Sequence, residues 1–404
     1  MADLNLLQII WFALLAVLWI GYLVLEGFDF GVGMLLRIVP KNDKERRAAL
    51  NTIGPHWDGN EVWVITAGGA TFAAFPEWYA TMFSGMYLAL VVVLLCLIVR
   101  IVAIEWRKSV SSHRWQHAWD TAHIIVAWVL SILWGVAFAN LVQGTPIEVG
   151  HFEDGEFVAV PADQLTGAAT DPALVDNFHF IAPGQNFLMQ FLDLLTPFTV
   201  VGGLVTLTIF LAQGALFLSI KTTGDMSERA FGLAKKLTIL DTVVTAVWAL
   251  WACFGINPWL GLADWPEEAA PINASGFLTL IPLAIAAVLL VATIAMTFMG
   301  KQKSAFYVHS GAIAFAVVFI WFCIAGYAMK SSVNDAYSLT LAQASATPQT
   351  HTIMIAATIV FVPIVLAYTI WSYLKFAKRI NADDVPDEPN GLDLKKVRQF
   401  EVTA

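Results

Sequence analysis

Four long stretches of this chain are almost free of charged residues, and they restrict the folds open to it. Each stretch is longer than the about 18 apolar residues that a helix needs to cross the hydrocarbon core of a bilayer. Over the full sequence only 13% of the residues are charged, roughly half the share that is typical of soluble domains. The sequence therefore predicts an all-α polytopic membrane protein. The four stretches are Leu6–Leu25, Tyr79–Ile104, Ser275–Gly300 and His351–Leu374.

The remaining apolar segments raise the prediction to about nine membrane-spanning helices. Residues 1–5 carry no basic residue, unlike the start of a signal peptide, so we expect the first apolar stretch to stay in the protein as a span. The spans make up a single transmembrane domain over residues 1–380, with a long loop at 143–186 and a polar tail at 381–404. The nine predicted spans are roughly 6–36, 50–74, 78–104, 119–142, 187–219, 237–259, 275–299, 305–329 and 351–374.

The basic residues lie almost entirely in the loops on one side of these spans. Only Arg100, inside a predicted span, and Lys330, on the opposite side, depart from this pattern. The loop at 143–186 on that opposite side is acidic and contains no Lys or Arg. Because the basic loops of membrane proteins face the cytoplasm, we expect the N-terminus to lie outside and the C-terminus inside. An odd number of spans is then required, and nine satisfies this condition.

Ionisable residues are concentrated in the first three predicted spans, although a charge near the bilayer centre costs about 3 kcal/mol on insertion scales. Glu26 and Asp29 are three residues apart and therefore share a helix face. Asp58 and Glu61 repeat this spacing in the second span, and Arg100 lies in the third. Carboxylates crowded around one guanidinium suit a proton relay, because such groups hold exchangeable protons. They equally suit a structural ion pair that holds three helices together, and the residues alone leave both interpretations open.

Cysteine and histidine residues give no comparable signal. Cys96, Cys253 and Cys323 lie far apart in apolar segments, which is the pattern of neither a disulfide framework nor a zinc site. No two histidines have the spacing of a diagnostic haem-ligand pair, and an axial ligand must be held in a pocket. His56, two residues before Asp58, is the histidine that best fits a proton relay. The sequence therefore predicts no metal site in this chain.

Three runs of residues in the first part of the chain are long and unusual in composition. The first is GYLVLEGFDFGVGML at 21–35, the second is IGPHWDGNEVWVITAGGA at 53–70, and the third is GVAFANLVQG at 135–144. Together they resemble the signatures of subunit II of cytochrome bd-type quinol oxidases. The resemblance covers essentially the whole chain and is most specific over residues 20–144.

This resemblance implies that the nine spans form two four-helix bundles plus one peripheral helix. It also implies a haem-bearing subunit I as partner, with haem b, haem d and the quinol site in that subunit and no haem in this chain. This chain is then expected to support assembly in the bacterial cytoplasmic membrane and to contribute a proton pathway from the cytoplasm for the reduction of oxygen to water. Membrane lipids, small single-span accessory subunits and a structural quinone are further expected partners, and nucleic acid is not.

The same resemblance implies roles for individual residues. Asp58 matches the relay aspartate of the family, and Glu105 stands where an acidic residue serves near the cytoplasmic entrance. Glu26 occupies a position where some members have Asp, so the acid is retained on a longer side chain. Glu61 is Gln in some relatives, which puts the need for its charge in doubt. The expected site residues are Asp58, Glu105 and Glu26 for the proton relay, with Asp29, Arg100, Glu61 and His56 in the surrounding charge cluster.

Two other classes of function stay open from the residues alone. A proton-coupled secondary transporter would use the same intramembrane carboxylates. Such proteins tend to have inverted repeats with paired broken helices, and no second copy of the acidic cluster follows residue 144. A self-sufficient haem protein would need several redox centres, and the chain offers no convincing set of His or Met ligands. The quinol oxidase subunit is therefore the favoured interpretation.

Overall fold

The computed structural model describes residues 4–154, 156–161, 177–179, 186–256, 277–386 and 391–392. Thirteen α-helices dominate this part of the chain, which confirms the prediction of a helical, multi-pass membrane protein. The predicted loop at 143–186 and the predicted tail at 381–404 lie partly outside the described residues. The helices are α1 Leu6–Met34, α2 Asp43–Ile53, α3 Trp57–Ala74, α4 Pro76–Gly85, α5 Tyr87–Trp106, α6 His113–Gln143, α7 Phe187–Asp193, α8 Pro197–Lys221, α9 Gly224–Trp251, α10 Phe277–Phe298, α11 Gln302–Ile324, α12 Leu341–Ala344 and α13 Pro348–Lys375.

Eight of the described helices are long and apolar enough to cross a membrane, namely α1, α5, α6, α8, α9, α10, α11 and α13. The one predicted span without such a helix is 50–74, and it is represented by α3, which has 18 residues and carries Asp58, Asn60 and Glu61 in its first turns. These polar residues leave α3 without a stretch as apolar as those of the other eight helices. A helix of this length is about 27 Å long, and α3 packs along α1. The count of nine spans stays a prediction.

Turns divide three of the predicted spans into two helices each. The predicted span 50–74 is broken around Pro55, which has no backbone N–H to donate within a helix, so α2 ends before this proline and α3 begins after it. The predicted span 78–104 is divided at Met86 between α4 and α5. The predicted span 187–219 is divided between α7 and α8. Helix α8 begins with a proline, a residue that is favoured in the first turn.

Five short strands lie in the loops, where the all-α prediction placed none. They are β1 Glu148–Glu153, β2 Glu156–Ala159, β3 Asn177–His179, β4 Tyr327–Met329 and β5 Leu339–Thr340. Strand β1 lies between β2 and β3 in a small antiparallel sheet within the loop predicted at 143–186. Strands β4 and β5 pair antiparallel after α11, so the helix predicted over 305–329 ends at Ile324 instead.

Helix α1 is central in the described fold and packs against α3, α6, α8 and α11. It approaches α8 most closely at Gly31, where an added Cβ would overlap the carbonyl oxygen of Phe210 and lie 2.7 Å from Cα of Gly214. Helices α6 and α8 meet in the same way at Gly135, where an added Cβ would overlap the carbonyl oxygen of Gly202. Small residues allow helix backbones to pack this closely in a membrane. The glycines therefore set the spacing of the three helices.

The later helices form a second set of neighbours, in which α9 packs on α8 and α10, and α11 packs on α10 and α8. Helix α13 differs from them, because none of its most apolar stretch is buried within the chain. It contacts α1 and α3. The arrangement as two four-helix bundles plus one peripheral helix, and the single transmembrane domain over residues 1–380, stay predictions.

Contacts between loops gather the basic segments at one end of the helices, here called the basic end. Arg107, which follows α5, donates to Asp43 of α2 at 2.7 Å, and Arg229 of α9 donates to Glu45 of α2 at 2.5 Å. The backbone of Leu392 pairs with the loop after α5. The segments that the positive-inside rule assigns to the cytoplasm therefore share one end. The side of the membrane that this end faces stays a prediction.

Candidate functional site

Arg100 of α5 is fully buried and is surrounded by carboxyl groups from two other helices. Its Nη1 atom contacts Oε1 of Glu26 in α1 and lies 3.4 Å from Oε2 of Glu61 in α3. Its Nη2 atom lies 3.9 Å from Oδ2 of Asp29, and its guanidinium lies 4.9 Å from the ring centroid of Phe30. The Arg100 cluster is defined here as Glu26, Asp29, Glu61 and Arg100. The structure thus brings these four sequence-predicted residues together.

The Arg100 cluster contains three carboxyl groups for one guanidinium, and its side chains are almost entirely removed from solvent. Glu26 and Asp29 meet there because residues three apart lie on one face of a helix. Gly27 lies against the ring of Phe210, with 2.7 Å between that ring and an added Cβ, so α8 closes this side of the cluster. A buried ion pair is unfavourable unless its partners are well satisfied. One guanidinium cannot satisfy three ionised carboxylates, so the cluster can hold protons as well as an ion pair.

A second layer of side chains connects the cluster to α13. Asn60 of α3 donates from Nδ2 to Oδ2 of Asp29 at 2.8 Å. Tyr373 of α13 donates its hydroxyl proton to Oδ1 of Asn60 at 2.7 Å. The ring of Tyr373 also stacks on His56, with 4.1 Å between the centroids. Neither ring nitrogen of His56 hydrogen-bonds to another described residue. His56 therefore adjoins the cluster through Tyr373 and is not part of it.

Asp58 lies outside the Arg100 cluster, on the exposed face of α3. It is one turn from Glu61 along the helix, so the two carboxyl groups are neighbours on α3. Gly59 and Gly69 share the open side of this helix, and a Cβ added to either would meet nothing within 4 Å. Val62 is exposed between them. Asp58, the predicted relay aspartate, therefore lies on a surface that the rest of the described chain leaves exposed.

Glu105 also lies outside the cluster, at the basic end. Its carboxylate pairs with Lys108 at 2.6 Å, and its side chain is 44% exposed. It lines a cavity of about 560 Å³ whose wall includes Trp57, the residue before Asp58. Gln116 of α6 lines the same cavity. The structure therefore connects Glu105 to the start of α3 through a polar cavity and not through a direct contact.

An ion-pair network that was not predicted from the sequence lies beside this cavity. Arg107 donates from Nε to Oδ1 of Asp120 at 2.5 Å and from Nη2 to Oδ1 of Asp43 at 2.7 Å. Arg46 lies 3.3 Å from Oδ2 of Asp120. Burial raises the pKa of Asp43, but the hydrogen bond and charge of Arg107 outweigh it and leave this pKa below its usual value. The network joins α2, α5 and α6 at the basic end.

A further buried polar group lies among the later helices. His309 of α11 pairs through Nε2 with Oδ2 of Asp241 in α9 at 2.7 Å, and its Nδ1 atom contacts Oε1 of Gln213 in α8. Gln213 donates to Ser310 at 2.7 Å. Asp241, His309 and Gln213 are all fully buried. Asp241 and His309 fall inside the predicted spans 237–259 and 305–329. Because ionisable residues are rare inside membrane spans, these two positions could have been singled out from the sequence.

These features define a multi-pass helical membrane protein with a buried charge cluster near one end, close to a polar cavity. A family described as cytochrome bd terminal oxidase subunit II matches residues 7–376. Subunit 2 of the cytochrome bd-I ubiquinol oxidase of Escherichia coli strain K12 is 34% identical over 409 residues, which cover 97% of this chain and 100% of the relative. Subunit 2 of the cytochrome bd ubiquinol oxidase of Bacillus subtilis strain 168 is 34% identical, with 92% and 96% of the two chains covered. The chain belongs to the family of cytochrome bd terminal oxidase subunit II.

A solved structure agrees with this assignment at the level of the fold. A chain of the bd oxidase from Geobacillus thermodenitrificans superposes with a TM-score of 0.67 at 15% sequence identity, covering 92% of this chain and 99% of that one. The resemblance seen in the sequence motifs is therefore confirmed. The protein is a subunit of a respiratory oxidoreductase of the bacterial cytoplasmic membrane, where membership of the family implies a subunit I as partner.

Proposed function

We propose that this chain is the haem-free subunit of a terminal quinol oxidase. In this proposal it supports assembly with the haem-bearing subunit I and conducts protons from the cytoplasm toward the centre that reduces oxygen to water. Quinol is oxidised on the partner subunit, and electrons and protons reach the oxygen-reducing centre from opposite sides of the membrane. Charge is then separated across the membrane without a pump. The basic end faces the cytoplasm, in line with the positive-inside rule.

The Arg100 cluster is the observation that carries the proposal. Its three buried carboxyl groups cannot all be ionised around one guanidinium, because excess buried charge is strongly destabilising. With one carboxylate paired to Arg100, the other carboxyl groups are held with protons, which they release when a better acceptor comes near. A purely structural ion pair would need only one carboxylate. The surplus acids therefore support proton storage in the first three spans.

The proposed route begins in the cavity of about 560 Å³ at the basic end, where Glu105 lines the wall next to the start of α3. Asp58 follows in the first turn of α3, one turn from Glu61. Glu61 lies 3.4 Å from Arg100, which contacts Glu26. Each step along this series moves further from the basic end along α3 and α1. Glu105, Asp58 and Glu26 therefore serve as successive proton carriers in the proposal.

The exposed face of α3 supports a role in assembly. An ionisable side chain on a membrane helix faces protein or a water-filled cavity and avoids lipid. Asp58 is exposed in this chain, so a partner must shield it in the complex. Gly59 and Gly69 on the same side leave room for a helix of that partner to approach closely. We therefore place subunit I against this face, with Asp58 at the junction of the two subunits.

Two buried histidines of this chain are engaged in contacts other than haem ligation. His309 and His351 are fully buried, and each hydrogen-bonds through a ring nitrogen to the protein, at Asp241 and at the carbonyl of Ala74. The apolar cavity of about 240 Å³ between α1 and α8–α11 is lined by no His, Met or Cys. In the part of the chain that the structure describes, no three His, Cys, Asp or Glu residues are grouped to hold a metal. In this proposal haem b and haem d belong to subunit I, as the resemblance to the family implies. A structural quinone and small accessory subunits stay predictions.

The test of the proposed function is the Asp58→Asn variant of the purified complex. The amide keeps the size of the side chain but cannot carry a proton, so quinol oxidase turnover should fall while the haem absorption bands keep their height. The Asp58→Glu variant should retain most of the turnover. Glu77→Gln, a change to an exposed carboxylate of α4, is the matched control and should leave turnover unchanged. Loss of haem in Asp58→Asn would assign Asp58 a structural role instead.

A further inference from the structure

His123 is a buried histidine of α6 whose side chain makes no hydrogen bond to any other described residue. It is 2% exposed. Its ring lies against the backbone of α1, since a Cβ added to Gly33 would stand 2.6 Å from Nε2. A buried polar group without a partner is destabilising. Packing alone would be better served by an apolar side chain at this position.

Two other buried histidines have structural roles in this fold, because their ring nitrogens hydrogen-bond to other helices. His309 hydrogen-bonds through both ring nitrogens, one of them to Asp241 at 2.7 Å. His351 hydrogen-bonds through Nε2 to the carbonyl of Ala74 at 2.9 Å. Each of these histidines joins two helices through a polar contact. His123 makes no such contact within the described residues, so it does not join helices in this way.

The position of His123 places it between the basic end and the Arg100 cluster. Asp120 lies three residues earlier on the same face of α6 and pairs with Arg107 at 2.5 Å. On the other side, Asp29 of the cluster lies one turn from Gly33 along α1. His123 therefore lies one turn from a member of the ion-pair network along α6 and beside Gly33, one turn from a member of the cluster, and Arg100 is the charged group that acts on its ring.

The same face of α6 reaches the polar cavity at the basic end. Gln116 lies one turn before Asp120 and lines the cavity of about 560 Å³. Gln116, Asp120 and His123 are all buried in the chain. A row of polar side chains thus leads inward from the cavity to α1. The charged residues around this row are Glu26 and Asp29 of α1, Asp43 and Arg46 of α2, Arg100 of α5, Arg107 after α5 and Asp120 of α6.

We propose that His123 is a relay residue that passes protons from the cavity at the basic end to the Arg100 cluster through α6. This branch is separate from the exposed face of α3, and it rests on the proposed function of the chain as a proton conductor. Imidazole suits the task because it can accept a proton at one ring nitrogen and donate one from the other. Nε2, the nitrogen beside α1, is the donor toward Asp29.

The transfer is balanced without any other reactant. The neutral ring accepts a proton at Nδ1 from water on the cavity side and becomes a transient imidazolium ion. Once Asp29 has passed its own proton onward within the cluster, the N–H bond at Nε2 breaks and its proton moves to the vacated carboxylate directly or through water. A flip of the ring restores the starting tautomer. One proton has then moved inward by the depth of about two helical turns.

The test compares His123→Gln with His117→Gln in the complete two-subunit oxidase reconstituted in liposomes. Gln can hydrogen-bond in the same space but cannot relay a proton as imidazole does. His117 lies on the exposed face of the same helix, so its replacement is the matched control. We expect proton uptake after an oxygen pulse to slow by about twofold in His123→Gln, because the route along α3 still conducts, with unchanged haem bands, and to stay at the wild-type rate in His117→Gln.

The outcomes separate this proposal from the proposed function. Wild-type uptake in His123→Gln together with slow uptake in Asp58→Asn would overturn the relay role of His123 and leave the proton-conducting function intact. Wild-type uptake in both variants would overturn the proposed function itself. If His123→Gln does not assemble, the smaller His123→Asn carries the same comparison. Failure of that variant to assemble as well would show that His123 is a packing residue and would overturn the proposal.

Discussion

Tyr373 of α13 lies parallel to His56, with 4.1 Å between the ring centroids and 3° between the ring planes. Its hydroxyl group donates to Asn60, and Asn60 donates to Asp29 of the Arg100 cluster. The most apolar stretch of α13 is otherwise unburied within the chain. A single tyrosine therefore supplies both a stacking contact and a hydrogen bond that fix the last helix to the charge cluster.

The Tyr373→Phe variant should keep the stacking contact and lose the hydrogen bond. Oδ1 of Asn60 would then lack this donor, and leaving a buried polar atom unsatisfied costs about 1–3 kcal/mol. Thermal unfolding of the purified complex in detergent measures the loss. Tyr368→Phe, at an exposed tyrosine of the same helix, should have no effect. Equal stability of Tyr373→Phe and the wild type would show that the hydrogen bond does not stabilise the fold.

The Arg100→Met variant should strongly destabilise the protein. The change leaves three buried carboxyl groups without a cation, and removing one partner of a buried ion pair costs about 3–5 kcal/mol. Arg100→Lys should recover part of this stability, because it restores the charge but not the forked geometry of the guanidinium. The yield and the thermal stability of the complex report both effects. Arg37→Met, at an exposed arginine, serves as the control, and an equal loss there would contradict the account.

Replacing one partner of the Asp241–His309 pair should destabilise the protein more than replacing both. His309→Ala leaves the buried carboxyl group of Asp241 unpaired, at a cost of about 3–5 kcal/mol, whereas replacing both partners by apolar residues of similar volume is often neutral. The double variant His309→Leu with Asp241→Leu should therefore unfold at a higher temperature than His309→Ala. A double variant less stable than the single one would show that the pair is required for folding.

Acid should weaken the network at the basic end. Burial raises the pKa of Asp43, but Arg107, with help from Arg47 and Arg46, lowers it below the usual value. Asp43 therefore stabilises the folded protein above pH values of about 4, the usual pKa of an aspartate, and this contribution is lost as the pH falls through the lower, folded-state pKa. Melting temperatures measured from pH 6 downward should fall more steeply for the wild type than for Asp43→Asn. Parallel curves would contradict this assignment.

The helical fold could be predicted well from the sequence, because the length of an apolar stretch sets the length of a span. The ends of the helices could not, since they depend on single residues and on later contacts. Pro55 breaks a predicted span, although its backbone chemistry was readable in advance. The pairing of β4 with β5 shortens α11 by a contact that no local pattern encodes.

The candidate site, too, could be predicted from the sequence only in part. Glu26, Asp29, Glu61 and Arg100 could be singled out because charges are conspicuous in an apolar background. Asn60 and Tyr373 could not, because 313 residues separate them and neither carries a charge. Which partner each polar residue finds depends on the packing of whole helices.

The most direct test of the central claim is the rate of proton uptake by the two-subunit oxidase in liposomes after an oxygen pulse. The account predicts that Asp58→Asn slows uptake from the cytoplasmic side by about twofold, because the branch through α6 remains, while the haem content and quinol binding match those of the wild type. Glu105→Gln should slow uptake in the same direction, because Glu105 lines the cavity where the proposed route begins. Uptake at the wild-type rate in both variants, with intact haem bands, would contradict the claim that this subunit conducts protons.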